Sequence, residues 1–239
     1  MGFTHPTCAW QVSPNFGARR LGALPDMIVL HYTAMQSAEA ALARLCDPGA
    51  EVSAHYLISE RGEIWQMVEE EQRAWHAGAG QWGAVVDVNS RSIGIELANT
   101  GAHPFPEPQM HALEGLMSAI MSRWPIPPER VIAQSDMAPA RKFVPGARFD
   151  WRRLARAGLS VWPEPGRADT GPETGAGAFL AAAERFGYPS SGAEDLETIL
   201  AAFRLRFRPS ARGPLEAADC AALQDLAARF PVDRARPSA

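Results

Sequence analysis

Apolar residues recur along this chain in two rhythms. Met27–Tyr32 (MIVLHY) and Ser92–Leu97 (SIGIEL) are short apolar runs rich in β-branched residues, and both read as buried strands. Ala54–Ser59 and Ile64–Val68 are two more strands, separated by Glu60-Arg61-Gly62-Glu63, a turn of hairpin length. Arg130–Ala133 is a last short strand. The helical spacing of three to four governs Ser37–Cys46, which Ser37 caps and Asp47-Pro48-Gly49 stops. It governs Pro108–Trp124 as well, through Met110, Leu113, Leu116, Met117, Ile120 and Met121, and it continues from Phe149 to about Gly158. The segments before Met27, from 74 to 92 and from Gln134 to Arg148 have no period and are expected to be irregular.

Strands and helices therefore alternate through the first 160 residues, the pattern of an α/β domain with one sheet and helices on its faces. Residues 163–175 (PEPGRADTGPETG) have the composition of a linker. Beyond them Ala176–Phe186, Ala193–Phe207 and Leu215–Phe230 carry helical patterns. The expected organisation is an α/β domain over 1–162, a linker over 163–175 and a small three-helix domain over 176–239.

Charge narrows the partners. The 23 basic and 27 acidic residues leave a net charge of −4, and neither half has a basic surplus, so the phosphate-neutralising surface of a nucleic-acid binder is not expected. No run approaches the ~18 apolar residues of a membrane span. The first thirty residues lack a basic segment followed by an apolar stretch, so the chain as given is expected in the cytoplasm, or in the periplasm if a leader was removed. Three scattered cysteines, Cys8, Cys46 and Cys220, have neither disulfide-framework nor zinc-ribbon spacing and read as small hydrophobes.

Position discriminates among the six histidines. His111 on its helix and His103 in a polar loop read as surface residues, whereas His31 ends a buried strand, where sites in α/β sheets gather. Glu96 is equally placed at the end of SIGIEL, just before Asn99, and a carboxylate there can act on water. Lys142 is the sole lysine among 23 basic residues, which suggests that a compact ammonium matters at this spot, although arginine usage across the chain can also reflect codon bias.

Together these local sequences resemble a known family. His31-Tyr32-Thr33-Ala34, Ser53-Ala54-His55-Tyr56-Leu57, Trp75-His76-Ala77-Gly78, Ser92–Leu97 and Ser135-Asp136-Met137-Ala138-Pro139 with Arg141-Lys142 and Pro145-Gly146 are similar to the type-2 N-acetylmuramoyl-L-alanine amidases, whose fold is that of the peptidoglycan recognition proteins. The resemblance spans roughly residues 25–155. Gly187-Tyr188 and Phe203-Arg204 through Phe207-Arg208-Pro209 also resemble the helical peptidoglycan-binding-like domain that follows some of these amidases.

The resemblance implies a mixed central sheet flanked by helices and a groove for peptidoglycan or a muropeptide. It implies a catalytic zinc with His31 as first ligand, Glu96 as the group that takes a proton from water, and Lys142 as the group that stabilises the oxyanion. Tyr32, Trp75, His76, Trp82 and Asn99 are the candidate substrate-binding residues.

The chain departs from this pattern at the metal. Where the second ligand is a histidine it has Gln134, and where the third is an aspartate it has Val144. A catalytic zinc takes three protein ligands, and an amide and an isopropyl group do not replace imidazole and carboxylate. The expectation is thus a family member that binds peptidoglycan or muropeptide with no cofactor and without zinc-dependent hydrolysis. Zinc enters only if the site is rebuilt, with Asp136, His55 and His76 as nearby donors. The alternative is an active amidase that cleaves the bond between the muramyl lactyl group and L-alanine, which retained Glu96 and Lys142 favour.

Overall fold

The computed structural model describes residues 8–164, 173–189 and 195–233. In chain order the strands are β1 (Cys8–Trp10), β2 (Phe16–Ala18), β3 (Met27–Tyr32), β4 (Tyr56–Ile58), β5 (Ile64–Gln66), β6 (Gln72–Ala74), β7 (Ser92–Leu97) and β8 (Val131–Ala133). The α-helices are α1 (Ala38–Leu45), α2 (Val88–Arg91), α3 (Glu107–Arg123), α4 (Gln134–Met137), α5 (Trp151–Arg156), α6 (Ala176–Phe186), α7 (Leu196–Phe207) and α8 (Ala217–Arg229). A six-stranded sheet runs β1-β5-β4-β7-β3-β8, in which only β4 and β5 are antiparallel, while β2 and β6 form a separate antiparallel pair. This is the expected mixed sheet flanked by helices.

Most periodic segments fold as their patterns predict. β3 and β7 match their runs end to end, the β4–β5 hairpin forms, and Ser37 caps α1 by accepting from the Ala40 backbone N–H at 3.1 Å. Three expectations are corrected. The start of the chain is not irregular, since β1 and β2 lie there, and the stretches 74–92 and Gln134–Arg148 contain the one-turn helices α2 and α4. Elements of three or four residues are too short to show a period of 2 or 3.6. Residues 165–172 of the expected linker and the first two residues of the helical pattern Ala193–Phe207 lie outside the described residues, as does His5.

The period of two in the central strands decides where the site lies. Ile28 and Leu30 of β3 and Ile93, Ile95 and Leu97 of β7 point to one face, where they pack against Met110, Leu113, Leu116, Met117 and Ile120 of α3. The other set, Met27, Val29 and His31 on β3 with Ser92, Gly94 and Glu96 on β7, shares the opposite face. Met27 and Val29 continue there into one apolar cluster with Trp82, Ile132 and Met137 and with Phe179, Phe186, Phe203 and Leu223 of α6, α7 and α8. The three C-terminal helices thus reach Met27 and Val29 on this face, and the polar His31, Ser92 and Glu96 lie outside that cluster. Among the described residues no helix is long and apolar enough to cross a membrane.

Candidate functional site

A cavity of about 360 Å³ opens at the C-terminal ends of β3 and β7. Tyr32 and Thr33 from β3 and its continuation, Glu96 from β7, Trp75 and His76 from the loop after β6, and Gln134, Arg141, Lys142, Phe143 and Val144 from the region of α4 line it, with Arg44 and Val52 on the far wall. His31 lies beneath, 2% exposed, and pairs in register with Glu96 across the two strands.

Three buried imidazoles and a serine lie together next to the cavity, and of them His76 lines it. Ser92 Oγ donates to the Val88 carbonyl at 2.6 Å, so at its 3.2 Å contact with His76 Nε2 the ring nitrogen is the donor. His76 Nδ1 then accepts from His31 Nε2 at 3.0 Å, which leaves the unprotonated nitrogen of neutral His31 at Nδ1. Burial holds all three rings neutral. It pushes His31 down to about 4 and His55 to about 3, and it lowers His76 far below the usual imidazole range. His55 accepts from the Gly94 N–H through Nδ1 at 3.0 Å and donates to the Gln72 carbonyl from Nε2 at 3.1 Å.

Gly94 is essential to this stack. A Cβ there would sit 2.4 Å from His76 Cγ, so the ring can lie on β7 only because that residue has no side chain. The polar phase of SIGIEL, Ser92-Gly94-Glu96, is the signal by which sequence reasoning could have found this surface.

The loop that carries Trp75 and His76 is held through its backbone. The N–H groups of His76 and Ala77 both donate to Asn89 Oδ1, at 3.1 and 2.9 Å. Gln134 Nε2 donates to the carbonyls of the same two residues, each at 3.2 Å, and Arg141 donates to the carbonyls of Ala77 and Ala79. Ser53 Oγ accepts the Trp75 N–H at 2.8 Å.

Glu96 faces this assembly with one buried carboxyl oxygen, Oε2, that has no hydrogen-bond partner. Burial raises its pKa to about 7, against the opposing pull of Lys142. A carboxyl raised toward neutrality suits a group that takes or gives a proton.

Seven of the ten residues singled out from sequence line the cavity: Tyr32, Trp75, His76, Glu96, Gln134, Lys142 and Val144. His31 supports it from below. Trp82 and Asn99 do not line it. Trp82, 1% exposed, lies in the apolar cluster shared with the C-terminal helices, edge-on to Phe186 and Tyr188 at 5.5 and 5.4 Å. Asn99 shapes the following loop, accepting the Gly101 N–H at 2.7 Å.

The zinc implied by the resemblance does not fit the donors present. Val144 has no donor side chain, Gln134 spends its amide nitrogen on two carbonyls, and His31, with Nε2 engaged by His76, leaves Nδ1 as a single imidazole donor where three ligands are required. The nearby donors are committed elsewhere. Asp136 accepts from Tyr188 Oη at 2.8 Å, Arg206 Nη1 at 2.5 Å and the Ala133 N–H at 2.8 Å, and His55 and His76 are bonded as described. Among the described residues no group of three histidine, cysteine or acidic side chains is placed to hold a metal ion.

Sequence reasoning also missed Arg206. This α7 side chain is fully buried, pairs with Asp136 of α4, and donates to the carbonyl of Val131, the first residue of β8, 2.9 Å away. Arg206 alternates with Arg204 and Arg208 in its segment, and nothing local marks it out as the one with a partner 70 residues away.

Comparison with known proteins gives this geometry a context. The Amidase_2 family model, described as N-acetylmuramoyl-L-alanine amidase, matches residues 21–147. N-acetylmuramoyl-L-alanine amidase AmiD of Escherichia coli is 36% identical over 210 residues, covering 77% of this chain and 75% of that protein. 1,6-Anhydro-N-acetylmuramyl-L-alanine amidase AmpD of Haemophilus influenzae is 41% identical over 103 residues, 43% of this chain and 56% of that protein. Among solved structures, E. coli AmiD in complex with the substrate anhydro-N-acetylmuramic acid-L-Ala-D-γ-Glu-L-Lys superposes with a TM-score of 0.79 at 34% identity, over 87% of this chain and 91% of that one. AmpDh3 of Pseudomonas aeruginosa in complex with anhydromuramic pentapeptide superposes with a TM-score of 0.78 at 29% identity, over 96% and 99%.

Proposed function

Since the chain belongs to the N-acetylmuramoyl-L-alanine amidase family, we propose that its cavity takes a muropeptide, the ligand class seen in the AmiD and AmpDh3 complexes, and binds it without zinc-dependent hydrolysis. The chemistry of the walls supports recognition. Tyr32, Trp75 and exposed Phe143 offer ring faces to a sugar, while Arg44, Arg141 and Lys142 offer cations to a peptide. A γ-linked glutamate keeps its α-carboxylate free, and such a group pairs with these cations. The observation that carries the non-hydrolytic part is the donor set: Gln134 and Val144 stand where two metal ligands would be needed, and the amide of Gln134 is already spent.

An active amidase is the second reading, and the names of the relatives favour it over the first. Glu96 and Lys142 face the same cavity, and their roles would be to hold a proton next to the scissile amide and a positive charge next to its oxygen. One experiment separates the two. The full-length protein is incubated with anhydro-muramyl tripeptide, released peptide is measured by mass spectrometry, and zinc per chain is measured by elemental analysis. Binding with well under one zinc and no peptide release is expected. Near-stoichiometric zinc with turnover establishes the amidase reading. In the converse arm, Gln134→His with Val144→Asp is expected to restore zinc uptake and cleavage.

A further inference from the structure

The misfit between the donor set and zinc has a structural counterpart, because His76, Gln134 and His31 Nε2 are bonded to one another's segments or to Ser92. From Ser92 inward the donors run in one direction: Ser92 to the Val88 carbonyl, His76 to Ser92, His31 to His76. Each step is 3.2 Å or shorter, and each direction follows from the one before it, because the serine hydroxyl has one proton to give and an imidazole that donates from one nitrogen accepts at the other. A buried imidazole without a partner is costly, and this series leaves neither ring unpaired. Gln134, at the second ligand position, does a different task from a ligand. Its Nε2 reaches across 58 residues to the His76 and Ala77 carbonyls and clamps the wall whose N–H groups Asn89 already holds.

We infer that the Ser92–His76–His31 series and the Gln134 clamp together replace the dication as the element that keeps the cavity in its binding shape, so that muropeptide affinity is independent of zinc. The inference rests on the muropeptide reading above and adds to it a stated role for Gln134. Gln134 is a positioning residue: it acts on the ligand through the 75–77 wall.

Two measurements on the full-length protein test this. Intrinsic tryptophan fluorescence, to which Trp75 in the cavity wall contributes, reports the affinity for anhydro-muramyl tripeptide after chelator treatment and again with added zinc chloride. The dissociation constants are expected to agree within about threefold, and Gln134→Ala is expected to weaken binding about tenfold in both conditions. Imidazole nitrogen NMR at pH 7 is expected to show His31 and His76 as Nε2–H tautomers, unchanged by zinc. A zinc-dependent gain of tenfold or more, or a zinc-induced change in the His31 resonances, overturns the inference. Loss of binding in both conditions would remove the muropeptide reading, and the imidazole spectra, which need no ligand, would still decide whether zinc enters this site.

Discussion

Replacing Arg206 by methionine tests how firmly the C-terminal helices hold the site. Arg206 and Asp136 are both without exposed side-chain surface and meet at 2.5 Å. The guanidinium also donates to the Val131 carbonyl at 2.9 Å and Ser160 Oγ at 3.2 Å, and it stacks over Trp151 at 4.2 Å. Methionine keeps much of the packing volume and removes the charge, leaving the Asp136 carboxylate with Tyr188 and the Ala133 N–H alone. Removing one partner of a buried pair costs about 3–5 kcal/mol. Arg206 Nε has no partner in the wild type, so losing that buried donor returns about 1 kcal/mol and puts the expected cost near the lower end. For a chain of this size that is a fall in Tm of roughly 6–12 °C. Guanidinium denaturation followed by tryptophan fluorescence measures it, and the cycle with Asp136→Asn measures coupling. A single-variant cost below about 1 kcal/mol, or costs that add without coupling, would refute the claim that this pair joins α7 to α4.

Two further predictions concern the site. Because folding keeps His31, His55 and His76 neutral while the unfolded chain takes up their protons below about pH 6.5, the stability they contribute is present in full above that pH and is lost as pH falls toward 4. Glu96 acts in the opposite sense between 4.5 and about 7, so denaturant midpoints are expected to rise from pH 4.5 to 6.5, and more steeply in Glu96→Gln; a flat profile would mean that the rings are not buried. Lys142→Ala is expected to change unfolding free energy by no more than about 0.5 kcal/mol, since no ion pair holds the half-buried side chain among the described residues, while muropeptide binding measured by fluorescence titration weakens. A loss of several kcal/mol in denaturation would place Lys142 in the structural framework.

Legibility in the sequence followed the range of the interaction. β3, β7, α1, α3 and α6 each carry enough residues for a period to show, and the three-residue strands β4 and β5 lie within longer apolar runs on either side of a local turn. β1, β2 and β6 have three residues each and take their shape from a neighbouring strand, so no run of sequence marks them. Trp82 shows the same limit at the site: a tryptophan in a loop rich in glycine suggests a groove, yet the aromatic cluster of α6 and the Tyr188 turn claims it.

Motif order alone pointed to the family, the alternation of strand and helix patterns to the α/β layout, and the resemblance to Gln134 and Val144 as the residues at two expected ligand positions, because these depend on which residues are present and in what order. Tertiary structure decided how the residues are partnered: that His31 bonds to His76, that Gln134 braces the 75–77 wall, and that α7 supplies the counter-ion for Asp136. A buried polar group must find a partner wherever the fold brings one, and here the partners lie 45 to 70 residues away, beyond the reach of any local pattern.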